Sequence, residues 1–187
     1  MQVMKYLPIA AVLTIYLLRM LEVNQKRVVV HGPVQERATF LAFMLGGLIA
    51  VFGGIVEYVL TGMKISLVSL AIGILLAVFS FAIRRAAISA LGRFWSLHIE
   101  IREDHQFVRS GPFRWMRHPT YFSMILELLS AIAILHAVWS GAVAFLIFIP
   151  ALMVRLSKEE KAMVEKFGTE YESYQRSTPI LLPTRFP

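Results

Sequence analysis

The stretch Tyr121–Leu156 reads YFSMILELLSAIAILHAVWSGAVAFLIFIPALMVRL. It contains two apolar runs, Tyr121–Val138 and Trp139–Leu156, and almost nothing separates them. Each run approaches the roughly 17–25 residues that cross the ~30 Å hydrocarbon layer of a membrane as a helix. The stretch therefore predicts a tight helical hairpin, with Trp139 and Gly141 at its junction and its turn at one membrane face.

The rest of the chain has the same apolar character. Of its 187 residues 57% are apolar and 17% charged, and the mean hydropathy is +0.65. Three further runs are candidates for spans: Tyr6–Leu21, Ala38–Leu60 and Ile65–Ile83. A signal peptide is the weaker interpretation of the first run, because no small-residue cleavage pattern follows it and Arg19 interrupts its end. We predict an all-α, multi-pass integral membrane protein with about five transmembrane helices.

The distribution of cations predicts the orientation of these helices. The net charge is +7 and the sequence pI is about 10.0. If the helices alternate, most cations fall in the first loop, the third loop and the tail, and the opposite side receives Lys5 and Lys64. The positive-inside rule then places the third loop and the C-terminus in the cytoplasm and the N-terminus outside. Such flanking cations fit contacts with membrane lipids, and we expect no nucleic-acid partner.

The second run carries two unusual features. Its glycine pairs Gly46–Gly47 and Gly53–Gly54 place small residues on one helix face, where another helix can approach closely. This face suits packing within the molecule as well as a homodimer. Glu57 is an intramembrane carboxylate, a type of residue that is usually functional or paired, and it lies within a turn of the helix end.

Two segments flank the hairpin on the cytoplasmic side. The segment 94–117 is polar, cationic and aromatic, which predicts an irregular, partly extended functional loop. After the fifth span, apolar residues recur at helical spacing and predict an amphipathic helix, with a possible break at Gly168. These apolar residues are Leu156, Met163, Phe167, Tyr171 and Tyr174.

The hairpin should bring the entrance of helix four, Arg117–Tyr121 (RHPTY), close to Arg155–Glu160 at the exit of helix five. Arg155 and Glu159 lie four residues apart on one helix face, so they form either a simple ion pair or a pair of ligand-binding groups. In the second case Arg155 would hold a carboxylate, and Glu159 would face a cationic ligand.

Histidines at 98, 105 and 118 do not have the regular spacing of a metal site. The chain also contains no cysteine, which excludes disulfides and thiolate ligands. We therefore expect no metal.

A series of spaced motifs occupies residues 94–183. They are Asp104-His105, Val108, Gly111-Pro112-Phe113, Trp115, Arg117-His118-Pro119 with Tyr121, Arg155, Lys158-Glu159-Glu160, Phe167-Gly168, Glu170-Tyr171, Pro179 and Leu182-Pro183. In this order they resemble the isoprenylcysteine carboxyl methyltransferase family, which belongs to a wider group of phospholipid methyltransferase-like membrane enzymes.

The resemblance implies a membrane methyltransferase that uses S-adenosyl-L-methionine, releases S-adenosyl-L-homocysteine and methylates the carboxylate of a lipophilic acceptor entering from the bilayer. Within a single membrane domain, 1–187, residues 1–93 would form scaffold helices one to three and residues 94–187 the catalytic, cofactor-binding part. The cofactor contacts carried over by the resemblance are His98, His105, Gln106, Phe107, Val108, Phe113, His118, Pro119, Tyr121 and Glu159. Arg155 would bind the acceptor, and Arg155 and Glu159 are the residues expected to be catalytic. Phe113 stands where relatives often have tyrosine, so it cannot supply a hydroxyl bond.

Three rival functions remain open. A phospholipid amine, a small amine or a small thiol is an alternative acceptor, and it would need a base such as His118 or Glu160. Membrane sterol reductases that bind NADPH have a similar entrance, but they usually carry asparagine where this chain has Thr120. A non-catalytic membrane scaffold is the third interpretation.

Overall fold

The structure is a computed structural model that describes residues 3–23, 38–92 and 108–182. All regular structure within these residues is helical, which confirms the predicted all-α membrane fold. The helices are α1 (Leu7–Val23), α2 (Ala38–Leu48), α3 (Gly54–Leu60), α4 (Leu67–Leu91), α5 (Pro119–Leu135), α6 (Val138–Phe167) and α7 (Thr169–Ser177). A π-helical turn, Ile49–Gly53, joins α2 to α3, and 3₁₀ turns lie at Val3–Tyr6 and Gly111–Arg114.

Four of the described helical stretches are long and apolar enough to cross a membrane. They are Met4–Glu22, Ala38–Leu60, Leu67–Leu91 and Val138–Phe167. The fourth predicted span, Tyr121–Val138, corresponds to α5, which is apolar but only 17 residues long. That length is at the lower limit for crossing the hydrocarbon layer.

The predicted hairpin is present, but its turn lies earlier than predicted. Helix α5 ends at Leu135, and His136 adopts a left-handed conformation with φ of 53° before α6 begins at Val138. The predicted junction at Trp139 and Gly141 was wrong, because both residues lie inside α6. Gly141 instead allows close packing of the two helices, since a Cβ there would overlap the side chain of Ile132.

Helix α6 continues from its apolar part into the charged part without interruption. The predicted amphipathic helix is thus an extension of the fifth span up to Phe167. The predicted break at Gly168 is confirmed, because this glycine has φ of 54° and separates α6 from α7. Glycine adopts this conformation without the steric cost that a side chain would add.

Small and hydroxyl residues hold α4 close to α5. A Cβ on Gly73 would overlap Ile134, and the Ser130 hydroxyl donates a hydrogen bond to the Gly73 carbonyl at 2.7 Å. The Ser80 hydroxyl donates to the Ser123 carbonyl at the same distance. Inside a membrane the hydrophobic effect does not drive helices together, because lipid is as apolar as a helix surface. Close backbone approach at small residues and hydrogen bonds between helices are therefore the expected basis of this packing.

The glycine face of the second span packs within the molecule, as predicted. A Cβ on Gly46 would lie 3.4 Å from the Ala144 carbonyl oxygen of α6, and one on Gly54 would lie 3.0 Å from the Leu135 side chain. A homodimer through this face stays a prediction.

Glu57 has a structural partner at the hairpin. Its carboxylate accepts hydrogen bonds from the backbone N–H groups of Trp139 at 3.1 Å and Ser140 at 2.7 Å. These groups belong to the first turn of α6, which favours a negative charge.

The Tyr58 hydroxyl donates to the Lys5 carbonyl at 3.0 Å. The first helix start, the end of α3 and the hairpin turn therefore share one end of the bundle, as the predicted alternation requires.

Four charged side chains form a closed ring between α1, α4 and α5. Arg84 is only 2% exposed and donates to Glu22 at 2.8 Å and to Glu127 at 2.6 Å. Arg19 completes the ring, 3.3 Å from Glu22 and 3.6 Å from Glu127. The ring balances two cations with two anions, which is a condition for tolerating charge in an apolar bundle.

Removing the buried cation should unfold the bundle more easily. We expect Arg84→Met to lower the free energy of unfolding by about 3–5 kcal/mol, because both carboxylates lose their most buried partner. The measurement is equilibrium unfolding of the purified chain in mixed detergent micelles. The control is Arg85→Met at the exposed neighbouring position, with an expected change within about 0.5 kcal/mol. Equal losses in the two variants would contradict a structural role for the ring.

Candidate active site

The entrance to α5 is braced by the C-terminal segment. Pro119 occupies the first turn of the helix, where its missing N–H leaves no bond unmade. The two residues before it pair with the chain end: the backbone N–H of Arg117 donates to the Pro179 carbonyl at 2.9 Å, and that of His118 donates to the Ile180 carbonyl at 3.1 Å. The backbone at the start of RHPTY is therefore held by the C-terminal segment.

The hydroxyl of Tyr121 links the two residues that were predicted to be catalytic. Arg155, which is 3% exposed, donates from Nε to this hydroxyl at 2.8 Å. The hydroxyl in turn donates to Glu159 Oε2 at 2.7 Å. The predicted proximity of RHPTY to Arg155–Glu160 is confirmed, and one short polar chain places a cation and an anion side by side.

Helix α2 covers the other side of Arg155. Arg155 Nη1 lies 3.5 Å from Thr39 Oγ1, and the guanidinium carbon lies 5.8 Å from the ring centre of Phe43. Such a distance permits a cation–π attraction. Sequence reasoning missed both α2 residues. Their only signal was a polar residue at the start of an apolar run, with an aromatic ring one turn later.

Glu160 is the centre of a second set of bonds beside the first. Its side chain is 13% exposed, compared with 32% for Glu159. Its oxygens accept from His118 Nε2 at 2.6 Å, Arg117 Nε at 3.0 Å, Arg117 Nη2 at 2.9 Å, Tyr171 Oη at 2.9 Å and Gln175 Nε2 at 2.6 Å. Burial raises the pKa of the Tyr171 hydroxyl, and the charge of Glu160 raises it further. Tyr171 therefore stays protonated and serves as a donor.

The remaining predicted cofactor residues fall into two groups. Phe113 is buried in the 3₁₀ turn before α5, and its carbonyl accepts from the Tyr174 hydroxyl at 2.6 Å. Val108 is partly exposed at the start of the same described stretch. The others lie outside the described residues: His98, His105, Gln106 and Phe107. The structure thus assembles His118, Pro119, Tyr121, Arg155 and Glu159.

The sequence also matches a known protein family. Residues 71–165, just over half of the 187-residue chain, match the isoprenylcysteine carboxyl methyltransferase (ICMT) family. The matched range includes both RHPTY and Arg155–Glu160.

Individual relatives match over shorter stretches. Uncharacterized protein YpbQ of Bacillus subtilis is 36% identical over 84 residues, which are 44% of this chain and 49% of that protein. An uncharacterized protein of Haemophilus influenzae is 34% identical over 97 residues, or 51% and 56% of the two chains. The protein-S-isoprenylcysteine O-methyltransferase of Mus musculus is 30% identical over 115 residues, or 60% and 41%. The chain spans about half the length of the curated relatives it matches.

The family match covers the two segments that the α5–α6 hairpin brings together and extends over more than half of the sequence. This chain therefore belongs to the isoprenylcysteine carboxyl methyltransferase family.

Proposed function

We propose that this chain is an S-adenosylmethionine-dependent membrane methyltransferase that methylates the carboxylate of a lipophilic acceptor. The observation that carries the proposal is the Arg155–Tyr121–Glu159 chain, with distances of 2.8 Å and 2.7 Å, at the boundary between the apolar and charged parts of α6. Family membership favours this function over a reductase, and the mouse relative is named a protein-S-isoprenylcysteine O-methyltransferase.

The residues present fit the cofactor chemically. S-adenosylmethionine carries an ammonium, hydroxyls and a positive sulfonium, and the carboxylate of Glu159 can accept from or attract each of these. Glu159 is also the more exposed of the two adjacent glutamates, so a ligand can reach it. His118, Tyr121 and Phe113 would complete the described part of the site. When bound, the cofactor supplies an activated methyl group.

Arg155 would orient the acceptor. A carboxylate is already ionised near neutral pH, so its methylation needs alignment rather than a general base. The guanidinium is a planar fork of donors that matches a carboxylate. Its 3.5 Å contact with Thr39 is at the outer limit of a hydrogen bond, and an acceptor oxygen would replace it. Because Arg155 is buried among membrane helices, we propose that the acceptor arrives from the bilayer and that water is excluded.

Substitutions of Glu159 and Arg155 should affect different steps, cofactor binding and acceptor binding respectively. We expect Glu159→Gln to weaken binding of S-adenosylhomocysteine about 10-fold or more, because a bond to a charged group is lost. Arg155→Lys should leave this affinity within about twofold while methylation falls, because lysine keeps the charge and loses the fork. The measurement is calorimetric titration of the detergent-solubilised chain, with Glu165→Gln, on the exposed end of α6, as the control.

A parallel titration with NADPH tests the reductase alternative. Binding of NADPH without binding of S-adenosylhomocysteine would overturn the proposed function. Binding of neither compound would favour the scaffold interpretation.

A second acceptor class has one observation in its favour. The buried His118 lies 2.6 Å from Glu160, and a carboxylate–imidazole pair could remove a proton from an amine or thiol. A phospholipid amine or a small thiol is therefore the alternative acceptor.

The dependence of the rate on pH distinguishes the two classes. For a carboxylate acceptor we expect kcat/KM to be nearly flat between about pH 6 and 8, because the acceptor is fully ionised throughout. The measurement is methyl transfer to a prenylated cysteine analogue and to a phospholipid amine in the same detergent. A rate that rises about tenfold per pH unit over this range would instead indicate an acceptor that must lose a proton.

We also propose that the site faces the cytoplasm and the N-terminus the outside, on the positive-inside rule. Because the chain has no cysteine, single cysteines report the topology directly. We expect Lys64→Cys to react with a membrane-impermeant maleimide on whole cells and Arg114→Cys to react only after permeabilisation. Both positions are exposed. The opposite labelling pattern would reverse the orientation.

A further inference from the structure

We infer that Glu160 is a positioning residue that fixes the tautomer and orientation of His118, so that His118 presents Nδ1 as an acceptor to the cofactor. This inference rests on the proposed function for the identity of the ligand. It assigns separate roles to two adjacent glutamates, Glu159 as a ligand-binding group and Glu160 as the support of a ligand-binding group.

The bonds to Glu160 leave it little capacity for a ligand. An ionised carboxylate offers about four lone-pair sites. Arg117 approaches both oxygens, at 3.0 Å and 2.9 Å, and three further side chains donate at 2.6–2.9 Å. The carboxylate is therefore saturated by the protein. Glu159 differs because it is more exposed.

The same bonds determine which nitrogen of His118 carries the proton. An ionised carboxylate only accepts hydrogen bonds, so the 2.6 Å contact requires a proton on Nε2. The backbone N–H of His118 is bonded to the Ile180 carbonyl, and its ring is 5.7 Å from that of Tyr121. With Nε2 held by Glu160, Nδ1 points towards Glu159, 3.9 Å away. Nδ1 is thus the ring atom placed on the ligand side.

The C-terminal segment reaches His118 through Glu160. Tyr171 and Gln175 of α7 donate to the carboxylate, and Arg117 Nη1 donates to the carbonyls of Gln175 at 2.8 Å and Thr178 at 2.7 Å. Tyr171, Gln175 and Thr178 lie beyond residue 165, where the family match ends. The tail of this chain therefore helps to set the geometry of a residue at the entrance of α5.

The tautomer can be measured without any ligand. We expect nitrogen NMR of the histidine-labelled full chain in detergent to show His118 with Nε2 protonated and Nδ1 unprotonated, with His118→Gln used to assign the signal. Glu160→Ala should convert this signal to a mixture of tautomers. A proton on Nδ1 in the wild-type chain, or an unchanged signal in Glu160→Ala, would overturn the inference.

Ligand affinity provides the second test. We expect Glu160→Ala and His118→Ala each to weaken S-adenosylhomocysteine binding roughly 10-fold or more. The double variant should bind no less tightly than the single variant with the lower affinity, because Glu160 acts on the ligand only through His118. Additive losses would overturn the inference. Glu160→Gln keeps the size of the side chain and one acceptor oxygen, so it should lose less affinity for S-adenosylhomocysteine than Glu160→Ala does. This comparison controls for misfolding. Glu165→Gln should leave binding unchanged.

The two hypotheses fail in different ways. A wild-type chain that does not bind S-adenosylhomocysteine overturns the proposed function. The tautomer measurement does not depend on that result and tests the role of Glu160 by itself.

Discussion

The turn at His136–Ala137 is the constraint on which the site depends. The turn makes α6 run antiparallel to α5. The N-terminal entrance of α5 therefore lies beside the point in α6 where the apolar part of α6 ends. At that level charged side chains can extend from the bilayer towards water. The close packing of Gly141 against Ile132 keeps the two helices in this register. Arg155 and Tyr121, far apart in sequence, are thereby placed within hydrogen-bond distance.

The bundle manages its buried charges in two ways. In the ring of Arg19, Glu22, Arg84 and Glu127, cations and anions alternate and balance one another's charge across three helices. The Glu160 carboxylate accepts hydrogen bonds from several donors and so links the entrance of α5 to α7. Both arrangements answer the same requirement, because an unpaired charge is costly away from water. The ring fastens helices together, whereas the Glu160 set positions a side chain.

Topology explains why much of the site could be predicted and part of it could not. Hydropathy located the two helices of the hairpin, and a hairpin alone implies that RHPTY lies near Arg155–Glu160. Thr39 and Phe43 could not be found in this way, because their contact with Arg155 depends on how α2 packs against α6. The same holds for Gln175, whose role depends on the turn at Gly168. The predicted loop residues between 98 and 107 lie outside the described structure and stay predictions.

The amino-acid sequence alone predicts the helical class, the approximate spans, the pairing of two helices and the residue types at their polar ends. It could do so because backbone groups in lipid must be satisfied within a helix, and because apolar length and flanking charge are local properties. The partner of each charged group follows instead from how the helices pack in three dimensions. Glu57 caps α6, Glu127 joins the ring and Glu160 supports His118. These choices depend on the rotation and depth of neighbouring helices, which are set by the packing of small residues between them.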